Sequence, residues 1–537
     1  MTSSDFLIVG AGPVGLTLAL ECCRHQIDFR IVEHHLAHSD KSKALVIWSG
    51  TLECLAAMGV VDEFIERGLP VRRFVLAAHG KVLNEISGLD QKIDSPYPQP
   101  LFLPQSETEE ILERRLESFG KKVERGIDVV ALSAQEDHVI VELNNAEGLH
   151  ETLRVNYLAG CDGARSLVRH ALPVAFEGET EPQRFVLIDA KVEGDLPQDG
   201  MFANWGKEYT VIFFPVKIGV FRMFTQRLDC SNKTTPTLEE MQGYLAHVGL
   251  GHLRLYDPEW LSYFDVNERY ASRNRVGPIF LLGDAAHIHS PAGGQGMNTG
   301  MQDAFNLGWK LKFLLKGGGD SGIIAESYFQ ERHPIAKALI QETTKLLHAG
   351  TANSFLARLG KRFFGGVILR LTFFQQIFCE KLSEMNVHYP TSGLLEHDPF
   401  KKNKYRRDQV GWRVYETFVT HPKTQERVSL WKEFLHPGHT LLVFIEDGLS
   451  QEASSLLTKL LACEAFSKIT IRLRVIARQE VDEGQHVDFL DFTNQAHQRF
   501  GITEPSWLLI RPDLYVAARG SLRETASLEH YFRKLAG

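Results

Sequence analysis

The sequence has few cysteines, and none of them belongs to a paired motif. Seven cysteines occur among 537 residues, the count is odd, and no C-x-x-C pair exists. These numbers argue against a disulfide framework and against a zinc site built on paired cysteines. We expect a reduced, cytoplasmic protein without a bound metal.

Long hydrophobic runs are also missing. The first apolar residues, 6–9, follow a short polar start and lead into glycines, so no signal peptide is expected. The most apolar later stretch, residues 363–378, is interrupted by an arginine and two glutamines, and it falls short of a membrane span. It is predicted to be a buried core helix, in preference to a helix on a membrane surface. No membrane partner is expected.

Concentrated charge of either sign is absent too. The 59 Lys and Arg and the 67 Asp and Glu give a net charge of −8 without long blocks. Nucleic-acid binding requires a concentrated basic face, so no nucleic-acid partner is expected. The hydrophobic fraction of 44% and the charged fraction of 23% are ordinary for a soluble globular protein. The length predicts roughly three domains.

Glycine turns that follow buried strands are what the sequence does contain. In the first, Gly10, Gly12 and Gly15 follow the apolar run 6–9 and precede a helical pattern. This is the dinucleotide fingerprint: a tight turn, a backbone open to a pyrophosphate, and close helix–strand packing. The next strand ends in Glu33, whose carboxylate would accept hydrogen bonds from a ribose and repel a 2′-phosphate. A dinucleotide site is predicted here.

Two later strands also end in an acid beside glycine. Asp162 and Gly163 follow one predicted strand, and Gly283 and Asp284 follow another. Alone, such a pair also fits an ordinary turn. Because ligands of open α/β sheets bind at the carboxyl ends of strands, we favour a ligand site. Further glycines and a helix over about 297–315 follow the last acid, so the helix N-terminus would face the same ligand.

Two isolated polar residues are further candidate ligands. Lys43 fits either a contact with phosphate or a flavin edge, or a solvated surface lysine. Gln105 precedes a predicted helix, in which Ser106 and Glu109 have the spacing of a capping box. That capping role would account for both of those residues, so only Gln105 is taken as a ligand candidate.

Residues 185–270 change to a β pattern with many aromatic side chains. Two strands around a turn are predicted over 211–224. Some of the aromatic residues should form ordinary core, and others are candidates to line an apolar pocket. The sequence does not decide between them, because a register shift of one residue inverts the two faces of a strand. From Thr440 an α/β alternation restarts, with helices predicted over 450–461 and 489–500, and it predicts a separate domain.

In this order the motifs resemble those of the single-component FAD-dependent aromatic hydroxylases, or group A flavoprotein monooxygenases. The helix after the last turn carries Asp303-Ala-Phe-Asn-Leu-Gly-Trp-Lys, which is similar to the Asp-x-x-Asn-Leu-x-Trp-Lys helix of that family. The closer look-alikes hydroxylate phenols or polyketides and have a C-terminal thioredoxin-like domain. The resemblance covers nearly the whole chain.

The resemblance implies an α/β fold. A Rossmann-like FAD-binding domain of the GR2, para-hydroxybenzoate-hydroxylase-like type would carry an inserted, mainly β substrate domain and be followed by a thioredoxin-like α/β domain. The implied ranges are 1–75, 100–172 and 276–400 for the FAD-binding domain with its following helices, 76–99 and 173–275 for the β-sheet substrate domain, and 405–537 for the thioredoxin-like domain.

The resemblance also implies a set of FAD-binding residues. Asp284 would bond the ribityl chain or the pyrophosphate, Val129 would touch adenine through its backbone, and residues 296–298 would present backbone N–H groups to the flavin pyrimidine. Pro291 would lie where oxygen and substrate meet, and Asp162 would also be linked to nicotinamide binding. The full set is Gly10, Gly12, Pro13, Val14, Gly15, Glu33, Lys43, Gln105, Val129, Asp162, Gly163, Gly283, Asp284, Pro291, Gly294, Gly296, Met297 and Asn298.

The sequence departs from the family at two positions. Lys43 stands where an arginine is frequent, and Gly50 stands before Thr51 where another arginine is frequent. The arginine contact to the flavin is therefore in question, because lysine lacks the planar fork of a guanidinium.

The implied reaction is hydroxylation of a phenolic or polyketide-like ring. Transiently bound NADPH or NADH would reduce FAD, and O2 would then form a flavin C4a-hydroperoxide. No catalytic side chain is assigned, because the flavin carries the chemistry; His287 and His289 are expected to be structural. A monomer or a homodimer is expected. Two alternatives stay open: a flavin oxidoreductase of this fold that inserts no oxygen, and a non-catalytic flavoprotein that binds an aromatic ligand.

Overall fold

The computed structural model describes residues 2–38, 44–226, 235–291, 293–352, 360, 363–400, 409–446, 455, 458, 464–479 and 487–537. Up to residue 170 the elements are β1 (Thr2–Val9), α1 (Pro13–Arg24), β2 (Arg30–Glu33), β3 (Val46–Ile47), α2 (Ser49–Ala57), α3 (Val61–Arg67), β4 (Leu69–Pro70), β5 (Arg73–Ala78), β6 (Lys81–Ser87), β7 (Leu101–Phe102), α4 (Gln105–Ser118), β8 (Glu124–Arg125), β9 (Ile127–Ala134), β10 (Val139–Asn145), β11 (His150–Gly160) and α5 (Leu167–His170).

The middle of the chain contains β12 (Phe176–Glu193), β13 (Gly200–Trp205), β14 (Thr210–Lys217), β15 (Val220–Gln226), α6 (Leu238–His247), β16 (Arg254–Ala271), β17 (Arg275–Val276), β18 (Ile279–Leu281), β19 (His287–Ile288), α7 (Gly296–Lys316), α8 (Ser321–Thr351) and α9 (Thr372–Leu382). The C-terminal part contains β20 (Phe418–Thr420), β21 (Arg427–Ser429), β22 (His439–Ile445), α10 (Glu464–Ser467), β23 (Ile471–Ala477), β24 (Phe489–Leu490), α11 (Gln495–Arg499), β25 (Ser506–Ile510), β26 (Val516–Ser521) and α12 (Ala526–Ala536).

The first sheet brings the separated motifs to one edge. Its main path is β17-β18-β11-β1-β2-β8, and β1 runs parallel to both β2 and β11. Val9 lies opposite Gly160, and Gly160 lies opposite Leu281 on the parallel strand β18. All three strands therefore end at the same level, and the glycine turn and the two acid-bearing turns leave the sheet side by side.

The second sheet decides which aromatic residues are core. Its order is β19-β16-β12-β15-β14-β13-β5-β6. Along β14, Val211 and Phe213 belong to a core under α6, whereas Ile212 and Phe214 lie on the opposite face with Trp48 and Phe74. Side chains of a strand alternate between its faces, so only the second set faces the first sheet and its glycine turns.

The third sheet has the order β21-β20-β24-β23-β22-β25-β26. Its central strand β22 is parallel to β23 and antiparallel to β25, and it is buried along its whole length. The predicted α/β alternation is present where the structure describes this region, with one correction; the helix expected over 450–461 lies largely outside the described residues. A helix was expected from Phe489, but a short strand starts there, and the helix begins only at Gln495.

A buried ionic cluster joins this third sheet to the long helices α7 and α8. Arg511 donates to both carboxylate oxygens of Glu331, at 2.7 and 2.8 Å, and also pairs with Asp513. Lys310 donates to the same Glu331 at 2.7 Å, and Asn306 donates to Glu331 and Asp513. The four charged side chains are at most 1% exposed. Opposed charges and hydrogen bonds in the cluster offset the cost of removing these ions from water.

The apolar stretch 363–378 is not the buried core helix that the sequence predicted. Leu369 and Cys379 face the core, but Phe363 is 57% exposed and Phe373 is 66% exposed. Only one side of α9 therefore packs on the protein. Among the residues that the structure describes, no helix has the length and apolarity needed to cross a bilayer.

Replacing Arg511 by Met should lower the free energy of unfolding by about 3–5 kcal/mol, because Glu331 and Asp513 would keep buried charges with one partner fewer. Urea unfolding followed by circular dichroism measures this loss. The control is Lys191→Met, which breaks an exposed pair with Asp257 and should cost at most about 1 kcal/mol. Equal losses in the two variants would show that burial of the cluster is irrelevant.

Candidate functional site

The glycine turn between β1 and α1 is closely packed at two of its glycines. Gly10 has φ +101°, and a Cβ there would lie 2.5 Å from the carbonyl oxygen of Cys161. A Cβ on Gly15 would lie 1.9 Å from the carbonyl oxygen of Gly10. Only glycine fits at these positions.

The third glycine of this turn borders open space instead. A Cβ on Gly12 would meet no atom within 4 Å, and α1 begins there without a side-chain cap. The Glu33 carboxylate lies against the same turn, where it accepts hydrogen bonds from the backbone N–H groups of Ala11 at 2.8 Å and His35 at 3.0 Å. A helix N-terminus and a carboxylate thus flank one opening, which suits a pyrophosphate beside a ribose.

Asp162 lies at the end of β11, but its carboxylate is already engaged. One oxygen accepts from the Ser166 hydroxyl at 2.5 Å, and the other accepts from the Val168 N–H at 3.0 Å. Burial raises the pKa of this carboxyl above its ordinary value. Asp162 therefore braces the start of α5, and a ligand contact would have to share its oxygens. Gly163 beside it has φ +75° and borders open space.

Asp284 follows β18 in a short 3-10 turn, Gly283–Ala285, and its side chain is exposed. Gly283 has φ +53°, and a Cβ there would lie 2.8 Å from a methyl group of Val14. This turn and the start of α1 therefore interlock, and Asp284 is placed at the edge of the sheet next to the opening at Gly12.

One buried carboxylate fixes the Asp284 turn. Asp303 of α7 accepts from the Gly283 N–H at 3.2 Å and lies 2.8 Å from the His287 ring nitrogen. Its other oxygen accepts from Arg332 of α8 at 2.7 Å, and Arg332 also donates to the Thr299 carbonyl. Burial opposes ionisation of Asp303, but the charges of Arg332 and His287 outweigh it and hold the pKa of this carboxyl below its ordinary value.

The start of α7 is held from below by an asparagine. Asn298 is fully buried; its carbonyl oxygen accepts from the Trp48 N–H at 2.8 Å, and its amide donates to the carbonyls of Val46 and Gly294 at 2.9 Å. The Trp48 ring donates to the Gly293 carbonyl at 2.9 Å. The first turn of α7, which no side chain caps, is therefore rigidly positioned toward the opening.

The loop before α7 contains Pro291, which is exposed, and Gly294, whose N–H donates to the Pro291 carbonyl at 3.0 Å. His289 lies beneath this loop with Nδ1 2.7 Å from the Ser290 carbonyl. Burial lowers the pKa of His289 to about 4. The ring is therefore neutral at physiological pH, and its Nδ1–H donates to that carbonyl. His287 and His289 both make structural hydrogen bonds, as expected.

Of the remaining predicted ligands, the structure describes Gln105 and Val129. Gln105 exchanges hydrogen bonds with the Ala44 backbone and donates to Glu109 at 2.8 Å. The capping-box prediction is wrong, because α4 begins at Gln105 and Pro104 precedes it without a side-chain cap. Val129 is half-buried on β9. Lys43 lies outside the described residues.

Position 50 is a glycine where the family frequently has an arginine, and the guanidinium of Arg413 lies beside it. Arg413 donates to the Gly50 carbonyl at 2.7 Å and pairs with Glu53 at 2.6 Å, fully inside the protein. A Cβ on Gly50 would lie 3.3 Å from this guanidinium and 3.2 Å from the Ser383 carbonyl. The space beside residue 50 is thus filled, and the C-terminal segment fixes the start of α2.

The first turn of α7 also borders a buried acid. Glu384 accepts from the Thr299 hydroxyl at 3.0 Å and from the Gln302 amide. Burial raises the pKa of Glu384 to about 8. Nothing in the sequence pattern pointed to this residue.

These residues fit a flavin dinucleotide. Open backbone at Gly12 and Gly163, two uncapped helix starts and two carboxylates, Glu33 and Asp284, lie at or beside the carboxyl ends of neighbouring strands of the first sheet. Uncapped helix starts suit a pyrophosphate and an electron-rich ring edge, and carboxylates suit sugar hydroxyls. Among the described residues, no three His, Cys, Asp or Glu are grouped to hold a metal ion.

Sequence reasoning missed the residues that support this site. In the sequence Asp303 stands out only as part of a helix similar to that of the family, and no motif marks Arg332, Trp48 or Arg413. The available signal was an acid, Asp303, in the helix that follows the Asp284 turn. Its partner, Arg332, lies on another helix, and no motif fixes the number of residues between the two.

Comparison with known proteins identifies the family. The model of the FAD binding domain family matches residues 3–343. The chain is 30% identical over 529 residues to 6-methylpretetramide 4-monooxygenase of Streptomyces rimosus, which covers 97% of this chain and 92% of that enzyme.

Comparison with solved structures also finds flavin-dependent hydroxylases and monooxygenases. The anhydrotetracycline hydroxylase OxyS of Streptomyces rimosus superposes with a TM-score of 0.77 at 28% identity, over 100% of this chain and 99% of that one. The flavin-dependent monooxygenase PieE, solved with FAD and substrate, gives a TM-score of 0.83 over 99% of both chains; at 20% identity, this likeness concerns the fold alone. The chain therefore belongs to the FAD binding domain family and is an FAD-dependent aromatic monooxygenase.

Proposed function

We propose that this monooxygenase hydroxylates a phenolic or polyketide-like ring, taking electrons from NADPH or NADH and oxygen from O2. The observation that carries the proposal is that β1, β11 and β18 end side by side, next to the start of α7 and opposite an apolar sheet face. Relatives that act on 6-methylpretetramide, rifampicin and pentachlorophenol support this substrate class.

In this proposal each turn binds a different part of FAD. The Gly12 backbone and the start of α1 would hold the pyrophosphate, and Glu33 would hold the adenosine ribose. Asp284 would bond the ribityl chain, and the first turn of α7 would meet the flavin pyrimidine. Bound FAD supplies a hydride acceptor and the site of oxygen activation.

The protein's part in the chemistry would be electrostatic and steric. The positive end of the α7 dipole favours negative charge on the pyrimidine edge of a reduced flavin. Burial lowers the pKa of His289 to about 4, so its imidazole would be a weak proton acceptor and a poor general base. No second glycine fingerprint occurs, so the nicotinamide would bind transiently.

The substrate space would lie between the second sheet and α9. Ile212 and Phe214 are half-buried on the sheet face that also carries Phe74, and Phe378 of α9 meets Phe74 edge-to-face at 6.3 Å between ring centroids. Trp48 belongs to the same cluster and touches the loop before α7. Apolar walls exclude water, which would protect the activated oxygen from unproductive decay.

We also propose the domain division stated above, including the thioredoxin-like assignment of residues 405–537. The first sheet draws its strands from residues 2–160 and 275–281, and the second sheet draws its strands from 73–87 and 176–288. The third sheet is built from residues after 417. These strand sets support three units.

Oxygen transfer is tested directly with isotopically labelled O2. The purified enzyme with FAD and NADPH should oxidise NADPH faster when a phenolic or tetracyclic substrate is added, and mass spectrometry should find one labelled oxygen in the product. A dehydrogenated product without label would support a flavin oxidoreductase, and ligand binding without NADPH oxidation would support a non-catalytic flavoprotein.

Replacing Asp284 by Ala should weaken FAD binding by about tenfold or more, because sugar hydroxyls would lose their acceptor, at about 1–3 kcal/mol for each orphaned group. Quenching of flavin fluorescence in a titration measures this affinity. Asp195→Ala, which removes an exposed carboxylate of the second domain, is the matched control. Unchanged FAD affinity in the Asp284 variant would refute the assignment.

Phe214 and Phe213 should respond differently to truncation. Phe214→Ala should raise KM for the aromatic substrate about tenfold with little loss of stability, because it removes a wall of the substrate space. Phe213→Ala should cost about 3–5 kcal/mol of stability with little change in KM, because that ring belongs to the core under α6. Steady-state kinetics measure KM, and thermal unfolding measures stability. A raised KM in the Phe213 variant together with a loss of stability in the Phe214 variant would place the substrate against the opposite face of β14.

A further inference from the structure

A ridge of large apolar side chains stands out from the surface on and before α9. Seven of them lie within residues 363–377 and are between 39% and 66% exposed. Soluble proteins rarely expose so many large apolar groups side by side without a partner. We call this set the apolar ridge; it consists of Phe363, Phe364, Val367, Leu371, Phe373, Phe374 and Ile377.

Buried side chains and hydrogen bonds hold the inner side of the apolar ridge against the protein. Leu369 and Cys379 are buried on its inner side. Asn84 donates to the Leu369 carbonyl at 2.8 Å, and Gln375 donates to the same carbonyl at 2.7 Å. The inward side chains of this segment are therefore already partnered, and a rotation that buried the ridge would expose them instead.

The sequence that contains the apolar ridge carries charge of one sign up to Cys379, and Glu380 follows near the end of α9. From Thr343 to Cys379 the chain contains five Lys or Arg and no Asp or Glu, although acids outnumber bases in the protein as a whole. Arg370, in the middle of the ridge segment, is exposed. Phenylalanine and leucine beside lysine and arginine, without acids, is the composition of a segment that lies on an anionic membrane surface.

We propose that the apolar ridge docks this enzyme on the surface of an anionic lipid bilayer, with its rings among the acyl chains and Arg370 at the headgroups. The occupant is a membrane surface rather than a second copy, because in a twofold interface residues 343–379 would offer their own bases no acidic partner. This differs from the sequence expectation of no membrane partner. That expectation assumed that residues 363–378 are core.

Flotation of the FAD-loaded enzyme with lipid vesicles tests the proposal. The enzyme should float with vesicles of about three parts phosphatidylcholine to one part phosphatidylglycerol, and bind pure phosphatidylcholine more weakly. About 0.5 M NaCl should reduce binding to the anionic vesicles. The double variant Phe373→Ser/Phe374→Ser should bind at least about tenfold more weakly, because two exposed rings no longer enter the bilayer.

The matched control is Leu149→Ser, which removes a side chain that is equally exposed, at 66%, in the turn between β10 and β11. It should float like the parent enzyme. The proposal is overturned if the parent enzyme floats with neither vesicle type. It is equally overturned if the double variant floats as well as the parent. It is also overturned if light scattering shows a dimer that only the double variant dissociates, because the ridge would then be a self-association surface.

Discussion

The ion pair between Asp303 and Arg332 is the interaction on which the site depends. It joins α7 to α8 inside the protein, and the same carboxylate holds the Gly283 N–H and the His287 ring. A carboxylate buried without such partners would be strongly destabilising. With them, one side chain sets both the turn that carries Asp284 and the helix whose first residues face the opening.

The buried ionic cluster extends this arrangement to the C-terminal part of the chain. Lys310 lies on the same helix as Asp303, and Glu331 is the neighbour of Arg332 in α8. Arg511 closes the cluster from the third sheet, while Arg413 holds the start of α2. Replacing buried ion pairs by apolar residues is often neutral for stability. Their contribution here is geometric, because charges with fixed partners allow one docking arrangement between the sheet and the helices.

The sequence predicted well what short-range pattern controls. The glycine turns, their acids and the helix from 296 follow from strand ends, glycine spacing and helical periodicity, and their meeting follows from parallel strands. The supporting contacts could not be predicted, because Asp303 and Arg332, or Gly50 and Arg413, meet only through tertiary packing. The faces of β14 were undecided for the same reason: alternation gives two sets, and only the neighbouring helix shows which is core.

The stretch 363–378 shows how hydrophobicity alone misleads. Its composition predicts a core helix, yet only Leu369 and a few others point inward. Residue type alone does not distinguish an apolar side chain that packs in the core from one that is exposed on the surface. The lack of Asp and Glu in residues 343–379 was the sequence feature that set this stretch apart.

The alternation along β14 has a consequence for how this enzyme changes over generations. Positions 212, 214 and 216 are half-buried on one face, and positions 211, 213 and 215 are buried on the other. In the proposed arrangement, mutations at the first three positions alter the lining of the substrate space without emptying the core, so new substrate preferences can arise there at little cost in folding. Adaptive drift should therefore accumulate at every second residue of this strand and spare its neighbours.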